Sequence, residues 1–337
     1  MNNKIRFGII GYGYWGKNIA RNIHKNINTE LSIVVDSNIE SLNEAKKLYK
    51  KTECIEDLHS LLTNENIDVV GIFTPPSTHF KIAMDCLRAK KNILVTKPLC
   101  LKVDESIEIK KLAIKNNLEV FIDDTFLFSG PIEYLKSYFN SSTFGDLMFV
   151  QSTRINLGLI QKDCNVIWDL APHDVGILNY LLEDMPNVVR ATGFNPFDKI
   201  YEYDCHSSCE LIYGDNLHAS LTLSWLSSIK TRRMIFGGTK ETVVYDHLDQ
   251  DAQIKIFKQS ITSKDIDTNV QFEYSIGETV VPEISQEEPL KKEIDCIVNT
   301  LQNKSYFPAN IDHAIKTVKT IEALQQSLSL KGEFVGI

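Results

Sequence analysis

The stretch Ile5-Arg-Phe-Gly-Ile-Ile-Gly11-Tyr-Gly13-Tyr-Trp-Gly16 decides the fold. A short apolar run ends in a glycine loop of the pattern G-x-G-x-x-G, and helical spacing follows to about Asn26. Leu31-Ser-Ile-Val-Val-Asp36 is then a second strand, whose last residue lies twenty positions after Gly16. Strand, glycine loop, helix and a strand closed by a carboxylate are the parts of a dinucleotide-binding unit. Gly11 permits the tight turn, Gly13 lets the backbone approach a pyrophosphate, and Gly16 lets helix and strand pack closely. The helix N-terminus offers unpaired N–H groups to phosphates. A carboxylate at position 36 accepts hydrogen bonds from both adenosine ribose hydroxyls and would repel a 2′-phosphate. Ser37 and Asn38 follow it without an arginine, so NAD is the expected cofactor and NADP is disfavoured. Tyr14 and Trp15 open the helix as candidate cofactor contacts, with packing under the loop as the competing role.

Outward from this unit, residues 1–122 alternate strand and helix as a parallel sheet covered by helices does. Strands are expected at Cys54-Ile55, Asp68–Phe73, Asn92–Val95 and Glu119–Ile122. Helices are expected at 39–50 and 56–63, from Ser77 as cap to about Arg88, and at 104–116 with Asp104 as cap. Beyond about 125 the pattern changes. A helix at 131–139 and a strand at 147–155 precede a helix over roughly 170–183. Five further strands and a final one at Gln253–Phe257 follow, with turns at Gly214-Asp215-Asn216 and Gly237-Gly238. Two helices, near 285–302 and 310–330, close the chain. The expected class is α/β: a dinucleotide-binding Rossmann domain over 1–124, then an α+β domain over 125–337 with a mostly antiparallel sheet. The helix 310–330 is a candidate to pack back on the first domain.

Length and composition agree with two globular domains. The chain has 337 residues, 43% hydrophobic and 24% charged. Its net charge of −8 argues against nucleic acid or an anionic membrane as partner. No apolar run approaches the ~20 residues that cross a bilayer, and Met1 leads almost directly into a strand without a signal-peptide pattern. Seven scattered cysteines read as reduced thiols in a cytoplasm. Cys205-His206 with Cys209 sit in a strand pattern with no second ligand pair nearby, so no metal is expected.

A second constellation carries chemistry. Thr96-Lys97-Pro98 falls at the carboxyl end of a parallel strand, where open α/β sheets place ligands. Asp169 and His173 lie four apart at the start of a helix and can project from one face. Pro172 is expected in that helix's first turn, where a missing N–H is harmless. Asp169 is also a candidate N-cap.

These residues, with Thr74-Pro75-Pro76-Ser77-Thr78-His79 and Trp168-Asp-Leu-Ala-Pro-His173-Asp, resemble the glucose–fructose oxidoreductase / inositol dehydrogenase (Gfo/Idh/MocA) family. The resemblance runs over nearly the whole chain, including Trp225 and the stretch 232–238. It implies a Rossmann domain, a substrate-binding domain whose large open sheet oligomerises as a homodimer or homotetramer, and NAD(P)-dependent oxidation or reduction of a sugar-like alcohol. The family's Glu-Lys-Pro lysine and Asp-x-x-x-His pair, which contact the reacting hydroxyl, fall on Lys97, Asp169 and His173. Thr96 stands where the family carries Glu. The segment holding Thr74, Pro75, Thr78 and His79 resembles the loop beside the nicotinamide ribose, so these four and Lys97 are candidate cofactor contacts.

Hydride removal from a secondary alcohol requires a base for the hydroxyl proton, and histidine supplies one near neutrality. His173 is the expected base, Lys97 the donor to the same oxygen, and Asp169 the orienting group. Arg154-Ile-Asn156-Leu-Gly158 and Lys162 form a polar segment before the helix, where Arg154 is able to meet a diphosphate and Asn156 the substrate. With Trp168–Asp174 this segment resembles the nucleotide-sugar branch of the family. The expected substrate is therefore a UDP-N-acetylhexosamine oxidised at C3 for surface-sugar synthesis. A free polyol or aldose such as inositol, reduction of a keto-sugar nucleotide, and a non-catalytic dinucleotide and sugar sensor are the alternatives.

Overall fold

The computed structural model describes residues 4–266 and 269–337. In chain order the elements are β1 (Ile5–Ile10), α1 (Tyr14–Lys25), β2 (Thr29–Val35), α2 (Ile39–Leu48), β3 (Glu53–Ile55), α3 (Leu58–Thr63), β4 (Val69–Ile72), α4 (Pro76–Arg88), β5 (Asn92–Thr96), α5 (Val103–Asn116) and β6 (Val120–Asp123). A 3-10 turn (Thr125–Phe128) leads to α6 (Gly130–Phe139), β7 (Leu147–Leu157) and α7 (Val166–Leu182). The strands β8 (Val188–Phe194), β9 (His206–Tyr213), β10 (Leu217–Ser224), β11 (Leu226–Gly238), β12 (Thr242–Asp246), β13 (Ile254–Ile266) and β14 (Asn269–Val280) follow. Last come α8 (Pro289–Asn303), α9 (Ile311–Ser329) and the two-residue β15 (Val335–Gly336).

Two compact units result: Met1–Phe128 with Glu287–Val318, and Ser129–Gln286 with Lys319–Ile337. The division expected at 124 is thereby redrawn, because the segment 287–318 returns to the first sheet. Ile122 donates its N–H to the Ala309 carbonyl at 2.9 Å, and the rings of Phe121 and Phe307 meet at 4.8 Å. On α8, Glu288 also pairs with Arg21 of α1 at 2.6 Å.

The first unit is a six-stranded parallel sheet in the order β3-β2-β1-β4-β5-β6. Order reverses between β1 and β4, and the crevice beyond the strand ends at such a point is where doubly wound sheets bind ligands. Helices cover both faces, so β4 and β6 are buried at every residue and, apart from the closing Asp123, read as apolar runs. Two expected caps shift. Pro76, not a residue after a Ser77 cap, opens α4, with its fixed φ suited to the first turn. Likewise α5 starts after Lys102, which puts Asp104 inside the first turn near the positive end of the helix.

The second unit holds a nine-stranded sheet, β14-β13-β12-β11-β7-β10-β9-β8-β15, antiparallel throughout except where β10 pairs with β7. Its strands alternate. Ser207, Cys209, Leu211 and Tyr213 are buried, while Ser208 and Glu210 are exposed. Gly237 and Gly238, expected as a turn, are instead the last residues of β11, and residues 239–241 make the connection. Glycine is required there by packing: a Cβ at Gly237 would stand 2.1 Å from the Phe149 ring, and one at Gly238 2.7 Å from the Phe144 ring. The sequence reading also ended β13 at Phe257 and missed β14. Both continue as alternating strands paired to each other, and in β14 Phe272, Tyr274 and Ile276 alternate with polar residues.

Candidate functional site

At the end of β1 the three loop glycines have different reasons to be glycine. Gly11 has φ +91, and a Cβ there would come 2.5 Å from the Phe73 carbonyl oxygen. At Gly16 a Cβ would come 2.0 Å from the Gly11 carbonyl oxygen. Both are therefore demanded by the protein's own backbone. Gly13 is not: its φ is −75, and a Cβ would meet nothing within 4 Å. Space beside Gly13 is thus left open at the mouth of α1. Gly13 is also the N-cap of that helix and supplies no side chain to its first-turn N–H groups. Unclaimed donors next to open space fit a pyrophosphate, so these residues fit NAD.

Asp36 continues the cradle. Its carboxylate accepts the N–H of Tyr12 in the glycine loop at 2.6 Å and that of Asn38 at 2.7 Å. One bond ties the loop and the other starts α2, whose N-cap is Asn38. Each carboxylate oxygen has a further lone pair, which leaves capacity for ribose hydroxyls. Ser37 is exposed beside it. Tyr14 is 85% exposed, which removes packing under the loop as its role. Trp15 is half-buried, and its indole N–H donates to the Asp123 carboxylate at the end of β6.

Beside β1, the segment after β4 is tied internally. Thr78 donates its hydroxyl to the Pro75 carbonyl at 2.7 Å, and its oxygen lies 2.6 Å from that of Thr74. Thr74 and Thr78 are half-buried and Pro75 is exposed. His79 departs from the expected role. It is fully buried, with Nδ1 2.8 Å from the Pro98 carbonyl and Nε2 2.8 Å from the Thr74 carbonyl. Rather than touching a cofactor, it braces the Thr74 loop against the turn that carries Lys97. Lys97 itself is half-buried after β5 and precedes a cis proline.

In the second unit α7 begins four residues earlier than expected, at Val166, capped by the Asn165 side chain accepting from the N–H groups of Ile167 and Trp168. Asn165, not Asp169, is the cap. Pro172 accordingly lies inside the helix, where it cannot donate to the Trp168 carbonyl. Asp169 and His173 remain one turn apart. Among the first two turns, which are otherwise buried, they are accessible along with Leu170. The carboxylate of Asp169 accepts the Trp225 indole N–H at 2.9 Å. Gly158 closes on the same tryptophan: its N–H donates to the Trp225 carbonyl at 3.1 Å, and a Cβ would meet the indole at 2.8 Å and Asn156 Nδ2 at 3.1 Å. Asn156 therefore stands in the group around Trp225 and Asp169.

Arg154 is a correction. It is 5% exposed, and its Nε and Nη2 grip both oxygens of Asp174 at 2.6–3.1 Å. A guanidinium expected to meet a diphosphate is instead half of a buried ion pair between β7 and α7. Sequence reasoning missed its partner Asp174, the Asp169 holder Trp225 and the Trp15 acceptor Asp123. Each is distant in sequence from the residue it serves, so no local spacing signals it. Among the described residues no group of three or more His, Cys, Asp or Glu forms a metal cluster, and no helix is long and apolar enough to cross a membrane.

Comparison with known proteins agrees with this geometry. The oxidoreductase family described as Gfo/Idh/MocA, NAD-binding Rossmann fold, matches residues 5–123, and the family's C-terminal domain matches residues 132–244. UDP-N-acetylglucosamine 3-dehydrogenase of Acidithiobacillus ferrooxidans is 29% identical over 191 residues, 56% of this chain and 58% of the relative. Myo-inositol 2-dehydrogenase of Thermotoga maritima is 26% identical over 197 residues, 56% of this chain and 58% of the relative. The matched stretch thus spans a little over half the length of these curated relatives. Among solved structures, GenD2 from gentamicin A biosynthesis, in complex with NAD, superposes with a TM-score of 0.83 at 17% identity, covering 99% of this chain and 97% of that one.

Proposed function

The chain belongs to the Gfo/Idh/MocA oxidoreductases, and on that premise we propose that it is an NAD-dependent dehydrogenase acting on a secondary hydroxyl of a sugar, at C3 of a UDP-N-acetylhexosamine. The glycine loop Gly11–Gly16 and Asp36 would hold NAD, which would supply the acceptor for the hydride of the carbinol carbon. His173 takes the hydroxyl proton as general base. Lys97 donates a hydrogen bond to the same oxygen as its negative charge develops. Asp169, held by the Trp225 indole, orients His173 or a neighbouring substrate hydroxyl, with Asn156 as a further substrate contact.

One observation carries this reading: on an otherwise buried helix start, an acid and a histidine one turn apart are the polar side chains left accessible. That pattern supports proton transfer over the sensor reading, which needs no base. The substrate follows the relative that oxidises UDP-N-acetylglucosamine. A second reading, a free polyol or aldose, is favoured by the buried Arg154–Asp174 pair, which withdraws the guanidinium expected at a diphosphate, and by the inositol-oxidising relative. A homo-oligomer is part of the proposal. It is supported by Ile261 of β13 and by Phe272, Tyr274 and Ile276 of β14, each at least 57% exposed.

The test is incubation with NAD and a panel of UDP-sugars, dTDP-sugars and inositols, following reduced-nicotinamide absorbance and product mass, with 2-oxoglutarate added as reoxidant for tightly held cofactor. Turnover confined to free polyols rejects the nucleotide-sugar assignment. Lys97→Ala and His173→Ala are each expected to lower kcat by roughly 10²–10⁴ while NAD still binds. Near wild-type turnover in either variant overturns the assigned roles.

A further inference from the structure

Three carboxyl groups meet in the interior of the first unit, where the parallel sheet ends. Asp123 closes β6 and is 3% exposed, Asp124 follows at 4%, and Glu293 of α8 is fully buried. Asp124 pairs through Oδ2 with His313 of α9, whose Nε2 lies 3.2 Å away, while its Oδ1 has no hydrogen-bond partner among the described residues. The other two are coupled. Asp123 accepts at both oxygens, from the Trp15 indole N–H on one and from the Thr125 hydroxyl at 2.7 Å on the other. Two donors call for an acceptor-only group, which is the ionised form. Neither oxygen of Glu293 has a hydrogen-bond partner of standard geometry among the described residues. The polar groups facing it are Asp123, Asp124 and Thr125. A second negative charge in that dry space is prohibitive, so Glu293 keeps its proton.

The position of Asp123 gives this pair a use. Trp15 lies in the first turn of α1, between Gly13 and Gly16, where the phosphate-binding N–H groups emerge. In the ladder Asp123 is in register with Thr96, the residue before Lys97. A carboxylate is thus set one strand over from the position that lacks the family's Glu. We propose that Asp123 is a positioning residue for NAD: ionised and buried with Glu293 nearby, it fixes the Trp15 indole and with it the helix start that receives the pyrophosphate. Protonating Asp123 converts an acceptor oxygen into a donor, weakens its hold on Trp15, and loosens the cradle. Burial, the largest influence, moves the Asp123 carboxyl up to about 6, and burial with the neighbouring Asp123 and Asp124 moves Glu293 well above the usual carboxylate range. Acidification below about pH 6 is therefore the direction that weakens NAD binding. None of this depends on which sugar is oxidised.

The experiment uses the full chain labelled with ¹⁵N, from pH 5.5 to 8.5, together with NAD titrations by calorimetry. Three tryptophans, Trp15, Trp168 and Trp225, make a resolvable indole region, and Trp15→Phe assigns the first. The Trp15 indole signal is expected to titrate in the wild type, to lose that titration in Asp123→Asn, and to titrate with a shifted midpoint in Glu293→Gln. Trp15→Phe and Asp123→Asn are expected to weaken NAD by roughly 3- to 10-fold at neutral pH, the effect of one hydrogen bond. In Asp123→Asn the acid-side loss of affinity disappears. A Trp15 signal indifferent to pH and to both carboxyl variants overturns the proposal. So does wild-type NAD affinity in Asp123→Asn across the pH range.

Discussion

The two sheets of this protein place polar residues by different rules. In the parallel sheet, covered on both faces, β4 is apolar along its whole length and the polar groups gather beyond the strand ends: Asp36, Thr74, Lys97, Asp123. In the nine-stranded sheet the strands alternate, and polar residues occur within the buried face itself, as Arg154 does on β7 and Ser207, donating to the Thr192 carbonyl, on β9. A strand end is a place where backbone groups are already unpaired and a ligand can complete them. A polar residue inside a packed face has no such outlet and must be completed by the protein. Arg154 finds Asp174; Asp36 satisfies its own loop and keeps capacity for a ribose.

The largest expected effect tests that contrast within the second unit. Asp174→Ala leaves the Arg154 guanidinium buried and uncompensated, and should cost about 3–5 kcal/mol, read as a lower midpoint in urea unfolding. A loss below about 1 kcal/mol would mean that Arg154 reaches water, returning it to the pool of groups able to meet a substrate phosphate.

Next in size is a pair of substitutions three residues apart in the glycine loop. Gly16→Ala drives a Cβ into the Gly11 carbonyl oxygen and should cost about 3 kcal/mol or more. Gly13→Ala meets nothing in the protein, so its melting temperature should stay near that of the wild type. Its NAD affinity should fall about tenfold or more, a loss of roughly 1.4 kcal/mol. Calorimetric titration and thermal melts of both variants separate the glycine that packing requires from the glycine that a ligand requires. Equal effects of the two substitutions on stability would erase the distinction.

The smallest effect is in pH. Because Asp123 rises from 3.8 to about 6 in the folded chain, the folded state holds its proton more tightly than the unfolded state does. That contribution to stability is full below the unfolded value and is lost as pH rises through about 6. Glu293, shifted the same way, extends the loss to higher pH. Glu293→Gln removes a carboxyl that holds its proton in the folded chain and loses it in the unfolded one, so its stability relative to wild type should improve from pH 5 to pH 8 in denaturant titrations. A difference that stays constant across that range would show that folding does not raise the Glu293 carboxyl above its ordinary range.

The N-terminal strand, glycine loop, helix and Asp36 were legible because each is a local pattern: an apolar run, three glycines at set spacing, a carboxylate at the next strand end. So were Lys97, Asp169 and His173 as candidates, since a strand-end lysine and a four-residue spacing are visible without a fold. The pairing of β13 with β14 was passed over although Phe272, Tyr274 and Ile276 alternate with polar residues; these side chains are exposed, so no buried core face marks the strand. The cap of α7 was not legible either; it moved to Asn165 once the helix proved to start before the apolar signal suggested.

The chain's sequence by itself determined the class of fold, the preference for NAD and the candidates proposed for proton transfer, all properties of neighbours along the backbone. Tertiary structure decided which of those residues remain available. Burial committed Arg154 to Asp174 and His79 to two carbonyl oxygens. It also set Asp123 against Trp15 across 108 residues. Burying a polar group obliges it to find a partner, and the partner's identity depends on which distant segment the fold brings alongside.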